Sequence, residues 1–141
     1  MGEFSAVDEL LAAARADLDR VHPSDFAAEV AAGGLVIDTR SSEQRQQDGE
    51  LAGAVVVDRN VLEWRLDPSS PVHIPEITSV DQRLIIVCNE GYSSSLAAAS
   101  LRQLGLHRAT DLIGGFQALS RNGTSGLEDG RGDGLTCQTM L

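Results

Sequence analysis

Helical spacing of apolar residues is clearest at the start of the chain. Val7, Leu10, Leu11, Ala14, Leu18 and Val21 share one helical face, and Ser5 with Asp8 supplies an S-x-x-D start signal, so an amphipathic helix is expected from Ser5 to Val21. Pro23-Ser24 opens a second short helix, which runs to about Ala32 and is ended by Gly33-Gly34. Beyond it the pattern changes to short, continuous apolar runs flanked by turn residues: Leu35–Ile37, Ala54–Val57, Leu84–Val87 and a run ending at Leu112-Ile113. Such runs read as strands buried on both faces. Between them lie helical stretches at Ser41–Gln47, Asn60–Arg65 (one turn), Ser95–Leu104 and around Phe116–Leu119. Short buried strands alternating with helices predict an α/β fold with a parallel sheet. Trp64 is assigned to core packing, and Tyr92 either walls a pocket or faces water. From Arg121 onward Gly, Asp, Asn, Ser and Thr dominate, so residues 121–141 read as a mobile tail. Its Arg131-Gly132-Asp133 tripeptide reads as coincidence, and its Cys137 as an inert exposed thiol.

A length of 141 residues suits one domain with a core large enough to fold without disulfide or metal. Acidic residues outnumber basic ones 21 to 11, giving a net charge of −10, and every basic residue is Arg. The absence of Lys excludes Lys Schiff-base chemistry and the P-loop motif. The negative balance disfavours nucleic-acid and anionic-membrane binding, so any anion site must be built locally. No apolar run is long enough to span a bilayer, and Met1–Phe4 lacks the basic segment and apolar core of a secretory signal, so a cytoplasmic setting is expected. His22, His73 and His107 have no metal-ligand spacing to each other or to the two cysteines, Cys88 and Cys137; neither a metal nor a cofactor is expected.

The informative unit is strand–Cys–loop–helix, from Leu84 to Leu104. A Cys that follows a buried parallel strand emerges at the carboxyl end of the sheet, where open α/β folds place their sites. The short loop after Cys88, with Gly91 at its middle, can curl so that successive backbone N–H groups point inward as a nest, and the next helix adds its positive end. A thiolate held there is reactive near neutral pH. Ser93, Ser94 and Ser95 can cap the helix and donate into the same pocket. The other account of such a Cys is a small buried hydrophobe.

Four segments carry a family resemblance. Cys88-Asn89-Glu90-Gly91-Tyr92-Ser93-Ser94 resembles the active-site loop of the rhodanese family, Cys-x-x-Gly-x-Arg/Thr-Ser. Val36–Arg40 is similar to the family's strand ending in Asp-x-Arg, Gly49–Ala54 to its Gly-His-Ile-Pro-Gly-Ala segment, and Gly114–Leu119 to its Gly-Gly-Phe-x-Ala-Trp close. The likeness covers about residues 22–120, leaving residues 1–21 as an N-terminal helix packed on the domain and 121–141 as the tail. It implies a five-stranded parallel sheet with helices on both faces. It also implies a sulfurtransferase in which Cys88 takes sulfane sulfur as a persulfide, held by residues 89–94, and passes it to a thiol. The partners so implied are a small sulfur donor and an acceptor that is a low-molecular-weight thiol or a thioredoxin-like protein.

The loop departs from the family pattern where thiosulfate-using members often carry basic residues. Asn89 and Ser93 stand at those places, and Glu90 adds a negative charge, which disfavours a dianionic donor. Arg59 or Arg65, after the second strand, could supply a local cation or could pair with surface acids. Asp38 and Arg40 are expected to anchor neighbouring loops. Two rival functions follow from the same residues. One is a rhodanese-shaped binding or regulatory module with little turnover. The other is a phosphatase, disfavoured because rhodanese-shaped phosphatases use a longer loop of Cys, five residues, then a phosphate-clamping Arg, and Ser94 stands at that Arg's place.

Overall fold

The computed structural model describes residues 4–122; the expected tail beyond Asn122, with Cys137 and the Arg-Gly-Asp tripeptide, lies outside the described residues. The elements in chain order are α1 (Ala6–Arg15), α2 (Phe26–Ala31), β1 (Leu35–Asp38), α3 (Ser42–Asp48), β2 (Val55–Val56), α4 (Leu62–Leu66), β3 (Leu84–Val87), α5 (Ser93–Gln103), β4 (Ala109–Asp111) and α6 (Gly115–Arg121). Single 3₁₀ turns at Pro23–Asp25 and Arg59–Val61 lead into α2 and α4. The four strands are parallel, in the order β2-β1-β3-β4.

The sheet splits the apolar residues of each strand between two cores, because successive side chains point to opposite faces. Leu84 and Ile86 of β3 join Ile37, Leu62, Leu66, Ala97 and Leu101 on the face covered by α4 and α5. Ile85 and Val87 join Val36, Phe26, Phe116 and Leu119 on the face covered by α2 and α6. That two-sided burial is why β3 reads as an unbroken apolar run.

Five expectations need correction. The sheet has four strands among the described residues, not five. The position beyond β4 is held by a single bridge, Val21 to Leu112, with Val21 N–H donating to Asp111 O and Ile113 N–H to Val21 O. Pro23, which lacks an N–H and opens a helical turn, stops that segment from lengthening. The first helix accordingly ends at Arg15 rather than Val21, although its Ser5–Asp8 capping box forms as signalled. β2 is a two-residue edge strand with Val56 exposed, not a buried one. Trp64 is 57% exposed, because Leu62 and Leu66, four residues apart, occupy the inward face of α4. At the chain's other end, α6 carries helix through Arg121, where the tail was expected to begin.

Candidate active site

Cys88 follows β3 directly and is 6% exposed. Its Sγ accepts the Gly91 N–H at 3.1 Å, so the loop has closed back over the sulfur. Gly91 takes φ +88, a left-handed conformation that brings its Cα against the Gly114–Gly115 corner: a Cβ there would lie 2.6 Å from Gly114 N. The corner approaches as closely from its own side. A Cβ on Gly115 would meet Cys88 O at 2.5 Å and Asn89 C at 2.7 Å. The paired glycines thus exist to let the start of α6 touch the loop backbone.

That contact turns the first two carbonyls of the loop away from the sulfur, and other donors hold two more. Cys88 O accepts Phe116 N–H at 2.9 Å, and Asn89 O accepts Gln117 N–H at 3.1 Å. Gly91 O accepts Nη2 of Arg15 at 2.8 Å and Nη2 of Arg20 at 3.1 Å, and Tyr92 O accepts Ser95 N–H. The Gln117 amide also donates to Asn89 Oδ1 and Asp48 Oδ2, tying the loop to α3. With these four carbonyls bonded outward, the loop presents N–H edges to Sγ, the arrangement of an anion nest. The 11-residue helix α5 begins at Ser93, two residues earlier than expected, and adds its positive end.

The serines act differently from the expectation that they cap α5. The N-cap is Tyr92, without a side-chain cap bond. Ser94 and Ser95 are fully buried and donate to Asp111 Oδ2 at 2.8 and 2.7 Å. Asp111, at the end of β4 and fully buried, also receives Arg20 through Nε at 2.8 Å and Nη2 at 3.1 Å. A buried carboxylate is stable only when so paired and bonded.

Burial pushes the Cys88 thiol up, but hydrogen bonds from the Ser94 and Ser93 hydroxyls and from the Ser94 and Gly91 backbone outweigh it and hold the thiol below its ordinary range. Ser94 has one hydroxyl proton, and Asp111 lies 2.8 Å away to accept it. The donation to sulfur therefore rests most firmly on the two backbone N–H groups and on Ser93, whose hydroxyl has no competing acceptor among the described residues.

The remaining expected residues fall into two groups. Asp38 and Arg40 form a buried pair, with Nε and Nη2 of Arg40 on the Asp38 carboxylate and the guanidinium 3.9 Å from the Phe116 ring centroid. They brace α6, and so the glycine corner, against β1. Arg59 is bonded to Glu63, and Arg65 donates to Val72 O. Neither is bonded to the loop. Glu90 and Tyr92 are exposed at the loop's rim, with Arg15 5.8 Å from the Tyr92 ring centroid. Sequence reasoning missed Asp111, Arg15, Arg20 and Gln117. For Asp111 the available signal was a carboxylate at the end of a buried strand; Arg15 and Arg20 carry no local signal.

The family model described as Rhodanese-like domain matches residues 22–122. No curated protein matches the chain. Among solved structures, a protein of unknown function from Rhodopseudomonas palustris, described as a possible tyrosine phosphatase, is 26% identical with a TM-score of 0.76, covering 88% of this chain and 97% of that one. A rhodanese homologue from Thermus thermophilus is 27% identical with a TM-score of 0.52, covering 70% and 98%. A human single-domain sulfurtransferase shares the fold at 22% identity and a TM-score of 0.62, covering 72% and 95%.

Proposed function

The chain belongs to the rhodanese-like domain family, and we propose that it is a sulfurtransferase carrying sulfane sulfur as a persulfide on Cys88. The observation that supports this most directly is the nest: Cys88 Sγ under the Gly91 N–H, with the carbonyls of residues 88, 89, 91 and 92 all bonded away from it. The Cys88 thiolate attacks the outer sulfur of a persulfide donor R–S–SH. The donor's S–S bond breaks, its electron pair leaves with RS⁻, and a new S–S bond forms on Cys88. An acceptor thiolate then attacks the outer sulfur and releases the Cys88 thiolate, with no net oxidation. The inward N–H groups stabilise the anionic persulfide between the two steps, and the two-step path implies ping-pong kinetics.

The donor class follows from charge. Arg15, Arg20, Arg40, Arg59 and Arg65 each donate to a carbonyl or carboxylate of the protein, and Glu90 sits at the loop rim. A neutral or singly charged persulfide suits this site better than dianionic thiosulfate. The acceptor is a thiol, on a small molecule or on a thioredoxin-like protein. The likeness to a possible phosphatase does not extend to a phosphate clamp, because the place of the clamping Arg is taken by Ser94, buried against Asp111.

The test is intact mass after incubation with glutathione persulfide or with thiosulfate, beside Cys88→Ser. A gain of about 32 Da, absent from the variant and reversed by thiol, is the expected result, with the persulfide loading faster. No gain with either donor, from folded protein whose Cys88 still alkylates, leaves the binding-module reading.

A further inference from the structure

Three of the four outward carbonyl bonds of the loop come from inside the region that matches the family model; the fourth does not. Cys88 O and Asn89 O are held by the first turn of α6, and Tyr92 O by Ser95 N–H. Gly91 O is held by Arg15, on α1, and Arg20, in the segment between α1 and the Val21 bridge, both ahead of residue 22 where the match begins; the Ser95 hydroxyl also lies 3.5 Å from it, but its single proton goes to Asp111 Oδ2 at 2.7 Å. We propose that Arg15 and Arg20 are positioning residues of the active-site loop: by clasping Gly91 O they fix the Gly91–Tyr92 peptide, making the segment before residue 22 part of the catalytic apparatus.

The physical basis is the planarity of the trans peptide. Its C=O and N–H point in opposite directions, so fixing the oxygen on the arginine side turns the Tyr92 N–H away from that side. Two guanidiniums on one carbonyl also polarise that peptide, which raises the positive charge on its N–H. Each arginine is itself held. Arg15 Nε donates to Ser95 Oγ at 3.0 Å, and Arg20 is forked onto Asp111. Ser95 donates in turn to Asp111, so both clasps rest on one buried carboxylate. α1 is placed for this by packing along α5, with Leu11 and Ala14 partly buried and Val7 and Leu10 exposed. Other charged groups near the loop are Glu90 on its rim, the buried Asp38–Arg40 pair, whose Arg40 Nη1 has no partner among the described residues, and Asp48, bonded to Gln117.

The inference concerns the thiol under the loop, and it rests on the assignment of Cys88 as nucleophile only for its bearing on turnover. Arg20 also neutralises buried Asp111, so its removal threatens folding, and the test is made on Arg15. The rate of Cys88 alkylation by iodoacetamide is measured against pH in the full chain for the parent, Arg15→Gln, Arg15→Lys and Arg108→Gln. The last removes the same charge from an exposed guanidinium that donates to Asp81 O. Arg15→Gln is expected to raise the midpoint by about half a pH unit or more, with Arg15→Lys restoring most of the shift and Arg108→Gln leaving the midpoint in place. A parental midpoint in folded Arg15→Gln, or an equal shift in Arg108→Gln, overturns the proposal. No sulfur donor is used, so a protein that shows the shift yet never gains sulfur keeps the clasp and loses the sulfurtransferase reading.

Discussion

At the scale of single residues, Cys88 is governed by a contest between burial, which favours the neutral thiol, and hydrogen bonds, which favour the thiolate. The bonds win, so the folded thiol ionises below its ordinary value. Alkylation of the folded protein should therefore show its midpoint below that of the same chain in denaturant. The sign for stability follows. A group whose folded pKa is depressed contributes stability in full above the unfolded thiol's value, about 8.5, and that contribution is lost as pH falls through the folded value. Urea denaturation of the parent and Cys88→Ser should therefore diverge in the parent's favour as pH rises through this window. Parallel curves would mean that the loop does not prefer the anion. Asp111 shows the opposite risk. Asp111→Asn removes the charge that neutralises Arg20, whose side chain is 15% exposed, and costs about 3 kcal/mol. A loss under about 1 kcal/mol by the same urea measurement would show that Arg20 reaches water and that the buried pair is not a hub.

At the scale of elements, the loop and α6 form one unit because two glycines allow backbone to touch backbone. Gly115→Ala would place a methyl 2.5 Å from Cys88 O at φ +63, and neither backbone can yield without giving up a carbonyl bond. A loss of about 2 kcal/mol or more is expected, together with slower alkylation of Cys88; a fully stable variant with parental alkylation would show that the corner is not what shapes the loop. Its parts were legible beforehand, since strand, Cys, loop glycine and the Gly114–Gly115 pair lie in short segments whose chemistry is local, but the contact between them was not. What was not legible depends on distance along the chain. Arg15 meets Gly91 across 76 positions, and Arg20 meets Asp111 across 91. Nothing in an Ala-rich helix marks which of its residues will reach a loop so far away. The same holds for Val21, whose place at one end of an apolar stripe fits a helix until the sheet edge claims it, and for Trp64, whose size suggests a core that Leu62 and Leu66 had already filled.

At the scale of the whole molecule, net charge and local geometry pull in opposite directions. The nest draws an anion onto Cys88, while a net charge of −10 repels anions approaching through solvent. The arginines that might reverse this are spent on the protein's own oxygens: Arg15 and Arg20 face the back of the loop peptide, Arg59 pairs with Glu63, and Arg65 holds Val72 O. Close stabilisation by N–H groups is little affected by salt, whereas repulsion acting across solvent is screened beyond about 10 Å at 0.1 M ionic strength. The two are separable with reagents of different charge. Alkylation of Cys88 by iodoacetate, an anion, should accelerate as salt is added at fixed pH, while alkylation by neutral iodoacetamide should stay flat. The ratio of the two rates then measures the field that a donor meets at this sulfur. If iodoacetate instead slows with salt, the field at Cys88 is attractive to anions, the acidic rim at Glu90 does not set donor choice, and thiosulfate becomes the better candidate donor.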